Sequence, residues 1–479
     1  MGGGVMENTK ERSDDMSMQP EGVSRRQFLR YAGGTAMAAA ALGAGGGIVR
    51  NLLRPEAAYA LPPGTQDGAD LYFGGTDGWI HLPAEPAIGN FHPDDLAPGD
   101  FNNYIFGFRD ITDLSPVDAA AQKMKAQHSA PLFWVNEYDG TNEFRLQLTN
   151  LGLALRPDLI DAHTLHWHGF RNMIPFFDGE PSGSASVPIE SNFVYVYRPR
   201  DPGTYMYHCH VEDVEHVHMG MTGMVFVRPA QDGNTALYPS GKFLYNDGNG
   251  STGYDREFAM FLSEVWAEAH WADSHIQLPE WSDYRPDFSL LNGRVYPDTV
   301  LPNAELDLAR SISSLATART ADGELVAPLD ASDVPISRLQ YQPYSSLVTC
   351  NAGERVALRF ANLGFMQAAM TIPGIKMRVV GTDATPAVGR DGTDLSHETN
   401  TISFGAGESH DVIFTAPAYD AAADAGSGYN RYLLYNRALQ RSGNLAGDGY
   451  GGQTTEIHVY PAGTLLPQGL PNTNPGEQL

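Results

Sequence analysis

Short runs of alternating hydrophobic and polar residues, separated by glycine and proline, recur along the chain from residue 131 onwards. In EFRLQLTNLG, the residues Phe144, Leu146 and Leu148 alternate with polar ones, which predicts a strand with one face in a core. Similar runs are PLFWVNEYDG and NFVYVYRP, and the sequence DPG predicts a turn before TYMYHCH. Such short strands with frequent turns and almost no helical pattern predict an all-β fold of Greek-key β-sandwiches.

A second series of strand patterns begins with REFAMFLSEVW at Arg256 and continues through GERVALRFANLG and TEIHVYPAG. We therefore predict a first domain at 61–230, whose residues 61–130 form an extended N-terminal segment, and a second domain at 256–462. The Gly-, Asn- and Asp-rich residues 231–255 between them are interpreted as a linker. The last residues, 463–479, are predicted to be a disordered tail.

The first sixty residues have the features of an export signal. SRRQFL at Ser24–Leu29 is a twin-arginine pattern, an Ala- and Gly-rich stretch follows, and Ala58-Tyr59-Ala60 fits a cleavage site. A membrane anchor is the alternative, but the stretch is only weakly apolar for a spanning helix. We predict that residues 1–60 are a signal peptide and that the protein is secreted, periplasmic or on the cell surface.

The charge of the chain limits its partners. It contains 57 acidic and 31 basic residues, a formal net charge of −26, which disfavours nucleic acid and anionic membranes as partners. With two cysteines the exported protein has no disulfide framework, and Cys350 is predicted to be a small buried hydrophobe.

Residues 163–224 contain seven of the fifteen histidines and the other cysteine, Cys209. The first part has the pattern H-x-x-H-x-H and the second H-C-H-x5-H-x4-M. Two imidazoles, a thiolate and a weak axial thioether are the ligands of a blue copper centre, so we predict copper. Four further histidines form two H-x-H pairs, namely His166, His168, His208 and His210.

Through HWHG, the following DG and GTYMYHCH, the chain resembles the multicopper oxidases, a family of laccases and related enzymes built of cupredoxin domains. GERVALRFAN and GAGESHDVIF are similar to the copper-free middle domain of three-domain members. The resemblance implies two cupredoxin-like Greek-key domains, with type 1 copper in the first.

The resemblance also implies which residues bind copper. Type 1 copper would be bound by His163, Cys209 and His216, with Met221 as the axial ligand. His218 is an alternative to His216, which is preferred because H-x4-M matches the family's spacing. A type 2/type 3 copper cluster would be bound by His166, His168, His208 and His210. Asp178 would orient a ligand of this cluster or supply protons, unless it is only a turn residue.

The histidine count departs from the family pattern. A complete cluster of this family takes eight histidines, and the first domain supplies four, while His270, His275, His397, His410 and His458 of the second domain are scattered. Either the missing ligands come from another copy, in which case a homo-oligomer, a dimer or a trimer, is expected, or the cluster is not a standard one. Two first domains facing each other across a two-fold axis would bring eight histidines together.

The implied function is that of an oxygen-reducing oxidoreductase, which takes electrons from a small-molecule or metal-ion donor at type 1 copper. Acidic residues beside His216, namely Glu212, Asp213 and Glu215, would dock a cationic donor or merely form a solvated loop. One alternative is a nitrite-reductase-like enzyme with a single type 2 copper held partly by His168 and His208, although His166 occupies the position of that family's active-site Asp. Another is a non-catalytic blue copper protein for electron transfer or copper binding.

Overall fold

The computed structural model describes residues 68–83, 96–98, 101–304, 338–444 and 449–474, all within one compact unit, Ala57–Leu479. The predicted signal peptide, residues 1–60, lies outside the described residues, and export therefore stays a prediction. None of the helices in the described part of the chain is both long enough and apolar enough to span a membrane.

The first β-sandwich consists of two four-stranded sheets, with strand orders β2-β1-β4-β6 and β3-β8-β7-β5. Helix α1 (Pro116–Ala120) lies between β2 and β3, and α2 (Asp213–Met219) connects β7 to β8. The strands are β1 (Leu71–Ile80), β2 (Asn103–Asp110), β3 (Phe133–Asn136), β4 (Phe144–Gly152), β5 (His166–His168), β6 (Asn192–Tyr197), β7 (Gly203–His208) and β8 (Thr222–Arg228).

Strands β1 and β2 correct the interpretation of residues 61–130 as an extended segment. Strand β1 pairs with β2 in antiparallel and with β4 in parallel orientation, so it is an interior strand of its sheet. Its glycines, Gly74, Gly75 and Gly78, weaken the strand pattern because glycine has no side chain to pack. The strand was therefore missed in the sequence.

The core of this sandwich is rich in aromatic side chains. Leu146 and Leu148 of β4 are fully buried, as their alternation predicted. They belong to the same cluster as Phe133 and Tyr207, whose ring centroids are 5.5 Å apart. Each buried ring removes a large apolar area from water, and this core holds the two sheets together.

The second β-sandwich consists of a seven-stranded sheet, ordered β10-β9-β12-β18-β14-β15 with β16 also paired to β14, and a five-stranded sheet, ordered β11-β20-β19-β13-β17. Helix α3 (Ala267–Ser274) follows the first of its strands. The prediction of an all-β fold with two cupredoxin-like sandwiches is confirmed. The strands are β9 (Arg256–Val265), β10 (Phe288–Leu291), β11 (Val348–Asn351), β12 (Arg355–Asn362), β13 (Ala368–Thr371), β14 (Met377–Thr382), β15 (Thr385–Pro386), β16 (His397–Thr399), β17 (Thr401–Phe404), β18 (Ser409–Thr415), β19 (Asn430–Asn436) and β20 (Thr454–Tyr460).

A buried ionic network joins the two sandwiches. Arg359 on β12 is fully buried, with its Nε 2.9 Å from Glu257 and its Nη1 3.4 Å from Asp411. The first sandwich contributes Arg228, 2.5 Å from Glu257, and Thr204, which donates a hydrogen bond to Asp411. Because a buried charge is costly unless it is paired, the network favours one relative position of the two sandwiches.

The segment interpreted as a linker is packed against the second sandwich. Leu244, Tyr245 and Tyr254 are buried in a small cluster with Ala357 and Ile413. Residues 231–255 are thus an ordered connection with its own apolar contacts.

The prediction of a disordered tail is wrong for residues 463–474, while 475–479 lie outside the described residues. Gln468 accepts a hydrogen bond from the backbone N–H of Glu257 at 2.8 Å, and Asn472 accepts one from that of Ala259 at 2.6 Å. These side chains satisfy backbone groups of β9 that have no neighbouring strand there, which keeps the segment ordered. The polar composition of the tail concealed this role.

Candidate metal centre

The end of β7 and helix α2 bring together residues from the H-C-H-x5-H-x4-M pattern. Cys209 directly follows β7, and its N–H donates to the carbonyl of Met221 at 3.1 Å. The N–H of Met221 in turn donates to the carbonyl of His216, the residue that α2 carries. Gly220, with φ of 121°, ends the helix in a conformation that L side chains rarely adopt. The turn therefore places His216 beside Cys209.

His163, Cys209 and His216 form a buried group whose ligand atoms lie within 4.8 Å of one another. The Sγ of Cys209 is 3.3 Å from Nδ1 of His216, and it also accepts the N–H of Thr164 at 3.4 Å. Neither ring nitrogen of His163 has a hydrogen-bond partner, nor does Nε2 of His216. A buried imidazole without partners is costly, so a metal ion bound here would satisfy it.

The electrostatics of this group favour a thiolate. Burial alone would raise the pKa of the Cys209 thiol, but His216 and His163 outweigh it and hold that pKa well below its usual value. Burial would lower the pKa of His216, but the Cys209 thiolate and Asp161 raise it to about 10. The thiolate is the form in which cysteine binds metals.

Met221 lies beside this group, and a glycine of β1 makes room for it. Met221 is fully buried, and a Cβ added to Gly75 would be 3.4 Å from Met221 Cε and 2.8 Å from His163 Cδ2. The predicted axial thioether therefore shares one space with the imidazole of His163. The set of two imidazoles, one thiolate and one thioether fits copper.

His218, the alternative to His216, points away from Cys209. Its Nε2 accepts the backbone N–H of Trp266 at 3.1 Å, and its ring centroid is 5.0 Å from that of His270. One turn of α2 thus directs two histidines to opposite sides, and the structure brings His216 to the thiolate.

A second group is formed by His166, His168 and His208, whose ligand atoms also lie within 4.8 Å of one another. His210 is next to it, with ring centroids 5.0 Å from His166 and 5.4 Å from His208. Burial lowers the pKa values of His166 and His168 and brings that of His208 to about 3. These rings are therefore neutral at neutral pH, the form that binds metals.

Backbone carbonyls fix the orientation of two of these rings. Nδ1 of His166 is 2.8 Å from the carbonyl of Asp178, and Nδ1 of His208 is 2.8 Å from that of Cys209. In both rings Nδ1 contacts a carbonyl, so Nε2 is the nitrogen available to bind a metal ion, an arrangement common around metal-binding histidines. The carboxylate of Asp178 is 3.6 Å from Nδ1 of His166 and is partly exposed.

In the described part of the chain, the second-domain histidines do not complete this second group. His270 contacts the carbonyl of Tyr104, and His458 contacts Glu456 at 2.7 Å. Two second-domain residues lie near the group: at Gly407 an added Cβ would be 2.9 Å from Nε2 of His168, and the charge of Asp383 partly offsets the effect of burial on the pKa of His168. The shortage of ligands noticed in the sequence therefore persists in the folded chain.

Three residues around the thiolate group were missed in the sequence. Asp161 has its Oδ2 3.6 Å from Nε2 of His216, Phe106 packs edge-on against the same ring at 5.8 Å, and Gly75 borders His163. The contact with His216 lowers the pKa of Asp161. Only Asp161 had a possible signal, because it stands two residues before the H-x-x-H-x-H pattern.

Comparison with known families supports the resemblance. Residues 149–232 match the family model of multicopper oxidases. The chain is 26% identical over 308 residues to copper resistance protein A of Pseudomonas syringae pv. tomato, covering 59% of this chain and 42% of that protein. It is 25% identical over 251 residues to copper resistance protein A of Escherichia coli, covering 48% and 35%. The chain thus spans less than half the length of these relatives.

Solved structures with similar folds include a blue copper oxidase from Nitrosomonas europaea, with 17% identity and a TM-score of 0.49 over 81% of this chain and 85% of that one. Another is the multicopper oxidase mgLAC, with 18% identity and a TM-score of 0.49 over 82% and 86%.

Proposed function

We propose that the protein is a copper-dependent oxidoreductase that transfers electrons from an external donor to dioxygen, since its residues 149–232 match the family model of multicopper oxidases. The observation that carries the proposal is the tripeptide His208-Cys209-His210. Its cysteine lies in the thiolate group, while its two histidines lie in or beside the second group. One short stretch of backbone thus connects two candidate metal sites.

In this proposal, His163, Cys209, His216 and Met221 would hold a type 1 copper. The four clustered histidines, His166, His168, His208 and His210, would hold type 2/type 3 copper. Copper supplies one-electron redox chemistry when bound. The protein fixes the ligand positions through β5, β7 and α2 and excludes water from the thiolate, which is fully buried.

Asp178 is proposed to move protons beside the histidine cluster. Its carboxylate reaches both solvent and the His166 ring, so Oδ1 can take a proton from water and release it next to the cluster. Its backbone carbonyl holds the same ring in place.

Completion of the cluster is proposed to require a second copy of the chain. Four histidines leave open coordination positions, and none of the described second-domain histidines joins their group. Exposed Ile174 and Phe176 lie near the cluster on the segment that leads to Asp178. They offer an apolar surface where a symmetric copy would bury its own equivalent residues.

A nitrite-reductase-like reaction is a second candidate, and one observation favours it. Three histidines, His166, His168 and His208, already form a compact group, which suffices for one type 2 copper. Two coppers per chain with nitrite turnover would support this reading, and a single copper without turnover would support a non-catalytic blue copper protein.

Localisation is proposed from the N-terminal pattern alone. We infer export of the folded protein by the twin-arginine route, supported by Arg25 and Arg26 and by the small residues before residue 61. Fractionation of cells expressing the natural chain, with both arginines changed to lysine as the control, tests this inference.

The function is tested by copper analysis, visible absorption and oxygen consumption on the purified protein. Cys209→Ser is expected to abolish the blue band and oxygen uptake while leaving the fold intact. Cys350→Ser is the matched control, because Cys350 is an equally buried free cysteine in the second sandwich. A Cys209→Ser variant that remains blue, or natural protein that binds no copper, refutes the proposal.

A further inference from the structure

Two arginines of the second sandwich, Arg355 and Arg378, have no acidic partner. In the described part of the chain, neither of these guanidinium groups forms an ion pair with a carboxylate, although the protein contains 57 acidic residues. Four other arginines of this sandwich are each paired with a glutamate, namely Arg256 with Glu354, Arg359 with Glu257, Arg431 with Glu456 and Arg441 with Glu264. The two unpaired charges are therefore a departure from the rest of the sandwich.

The sheet brings Arg355 and Arg378 to the same surface. Arg355 on β12 is opposite Thr415, and Arg378 on β14 is opposite Ile413, both on β18, which lies between these strands. Residues two apart on a strand point to the same face, and Phe414 between them is buried in the core. The two arginines thus leave the sheet on the face away from the core, and the residues of β18 between them are neutral.

One backbone carbonyl holds both guanidinium groups. Nη2 of Arg355 and Nη2 of Arg378 each donate a hydrogen bond to the carbonyl of Ser251, in the connection between the sandwiches. The position of this carbonyl is set by Asp247, whose carboxylate accepts the N–H and the hydroxyl of the next residue, Thr252. Two like charges are kept close together by a neutral oxygen, which uses one donor of each group and cancels no charge.

The surroundings compensate these charges only in part. Burial lowers the pKa of the Arg355 guanidinium below its usual value, and the charge of Arg378 lowers it further. Tyr238, whose ring centroid is 4.9 Å from Cζ of Arg355, opposes the shift together with the carboxylates of Asp247 and Asp255, without reversing it. An anion bound between the two arginines would therefore stabilise their charged forms.

Both arginines line an open cavity of about 570 Å³, a volume in the usual range for small-molecule sites. Lys376 adds a third positive charge to the lining, and Glu398, 3.7 Å from Lys376, adds one negative charge. Exposed Thr415 contributes a hydroxyl group. The cavity thus presents positive charge on a protein whose formal net charge is −26.

We infer that this cavity binds a phosphate group, either as inorganic phosphate or at the end of a small molecule. A guanidinium group can donate two parallel hydrogen bonds to phosphate oxygens, and two such groups can share the oxygens of one phosphate. A phosphate dianion also matches the surplus of positive charge better than a carboxylate, which carries one charge. None of the lining residues belongs to the two metal groups, so the site is additional to the proposed electron transfer.

Binding is tested by calorimetric titration of the full chain, free of copper and at low ionic strength, with inorganic phosphate, glycerol 3-phosphate and acetate. Without copper, phosphate has no metal ion to coordinate, and the result does not depend on the proposed function. We expect saturable binding of phosphate, with acetate bound about tenfold more weakly because of its smaller charge. Tighter binding of the ester than of the free ion would identify a phosphorylated small molecule as the ligand, and the reverse would identify inorganic phosphate.

Arg378→Gln should raise the Kd of phosphate about tenfold, because it removes charge-assisted hydrogen bonds. Lys376→Gln, at a side chain that is 67% exposed, should raise it about threefold. Arg431→Gln is the matched control, because it removes an equal charge from the same sandwich, while Arg431 lies outside the cavity. Absence of saturable binding, or equal Kd values in the natural protein, Arg378→Gln and Arg431→Gln, overturns the inference.

Urea denaturation provides a second measurement. Phosphate salts stabilise folded proteins in general because they are excluded from protein surfaces, and this effect is the same in natural protein and in Arg378→Gln. Binding at the cavity adds stability only where the site is intact. Phosphate should therefore raise the denaturation midpoint more in the natural protein than in Arg378→Gln, and equal increases would overturn the inference even if the variant is less stable from the start.

Discussion

Gly75 offers a sharp test of how the thiolate group is packed. A Cβ at this position would be 2.8 Å from Cδ2 of His163 and 3.4 Å from Cε of Met221. Carbon atoms normally pack at about 3.5–4.0 Å, so the His163 ring would have to move by roughly 0.7 Å. It has little space, because the ring is fully buried and its centroid is 5.2 Å from that of His216.

The expected magnitude follows from two opposing effects. Overpacking of a filled core costs about 1–3 kcal/mol. Replacing glycine by alanine in an extended strand stabilises the folded state by about 0.4–1 kcal/mol, because the unfolded chain loses conformational freedom. We expect Gly75→Ala to reduce the free energy of unfolding by about 1–2 kcal/mol, and to shift the blue band because it displaces a ligand.

Gly74→Ala on the same strand is the matched control. There the added Cβ would meet Cδ1 of Leu151 at 2.8 Å, but this atom is the end of a flexible, half-exposed side chain that can rotate away. Urea denaturation of both copper-free variants, followed by visible spectra after copper loading, makes the comparison. The packing argument would be refuted if Gly75→Ala and Gly74→Ala had equal denaturation midpoints and the blue band of Gly75→Ala were unshifted.

Three further predictions concern the second metal group and the contact between the sandwiches. His166→Ala should preserve the blue band and stop oxygen uptake, which an oxygen electrode measures; unchanged turnover would contradict the cluster assignment. His128 is buried, with its Nε2 3.1 Å from Oγ of Ser263, and burial lowers its pKa to about 4. The unfolded state therefore binds one more proton than the folded state below about pH 6.5. Its contribution to stability is complete above that pH and falls by up to about 3 kcal/mol towards pH 4; His128→Gln should flatten this slope in denaturant titrations at several pH values. Arg359→Leu removes a buried charge opposite Glu257 and should cost about 3–5 kcal/mol in urea denaturation; a loss below 1 kcal/mol would contradict the role of this network.

The ligand pattern could be predicted because its residues are close in sequence and their spacing matches short strands and one helical turn. The companions of the ligands could not be predicted. Gly75 and Phe106 reach His163 and His216 only through the pairing of β1 with its neighbours, and those strands were themselves hidden by glycines. The contact of Asp161 with His216 could not be predicted either, because it depends on the position in which α2 places the His216 ring.

The β-sandwich architecture followed from the alternation of residues such as Leu146 and Leu148. For the segment between the sandwiches and for the C-terminal segment, however, the prediction from composition was wrong. Residues 231–255 and 463–474 are polar and rich in Gly, Asn and Pro, yet they are held by side-chain contacts to distant strands. Such long-range partners leave no local periodicity in the sequence.

The contacts of Gln468 and Asn472 with β9 also bear on how the molecule is made. Strand β9 is among the first of the second sandwich to be synthesised, but part of its edge stays without these partners until Gln468 and Asn472 have been translated. An unsealed edge can pair with another nascent chain. Ending the chain before Gln468 should therefore first appear as aggregation on the ribosome or soon after release, rather than as a change in metal chemistry.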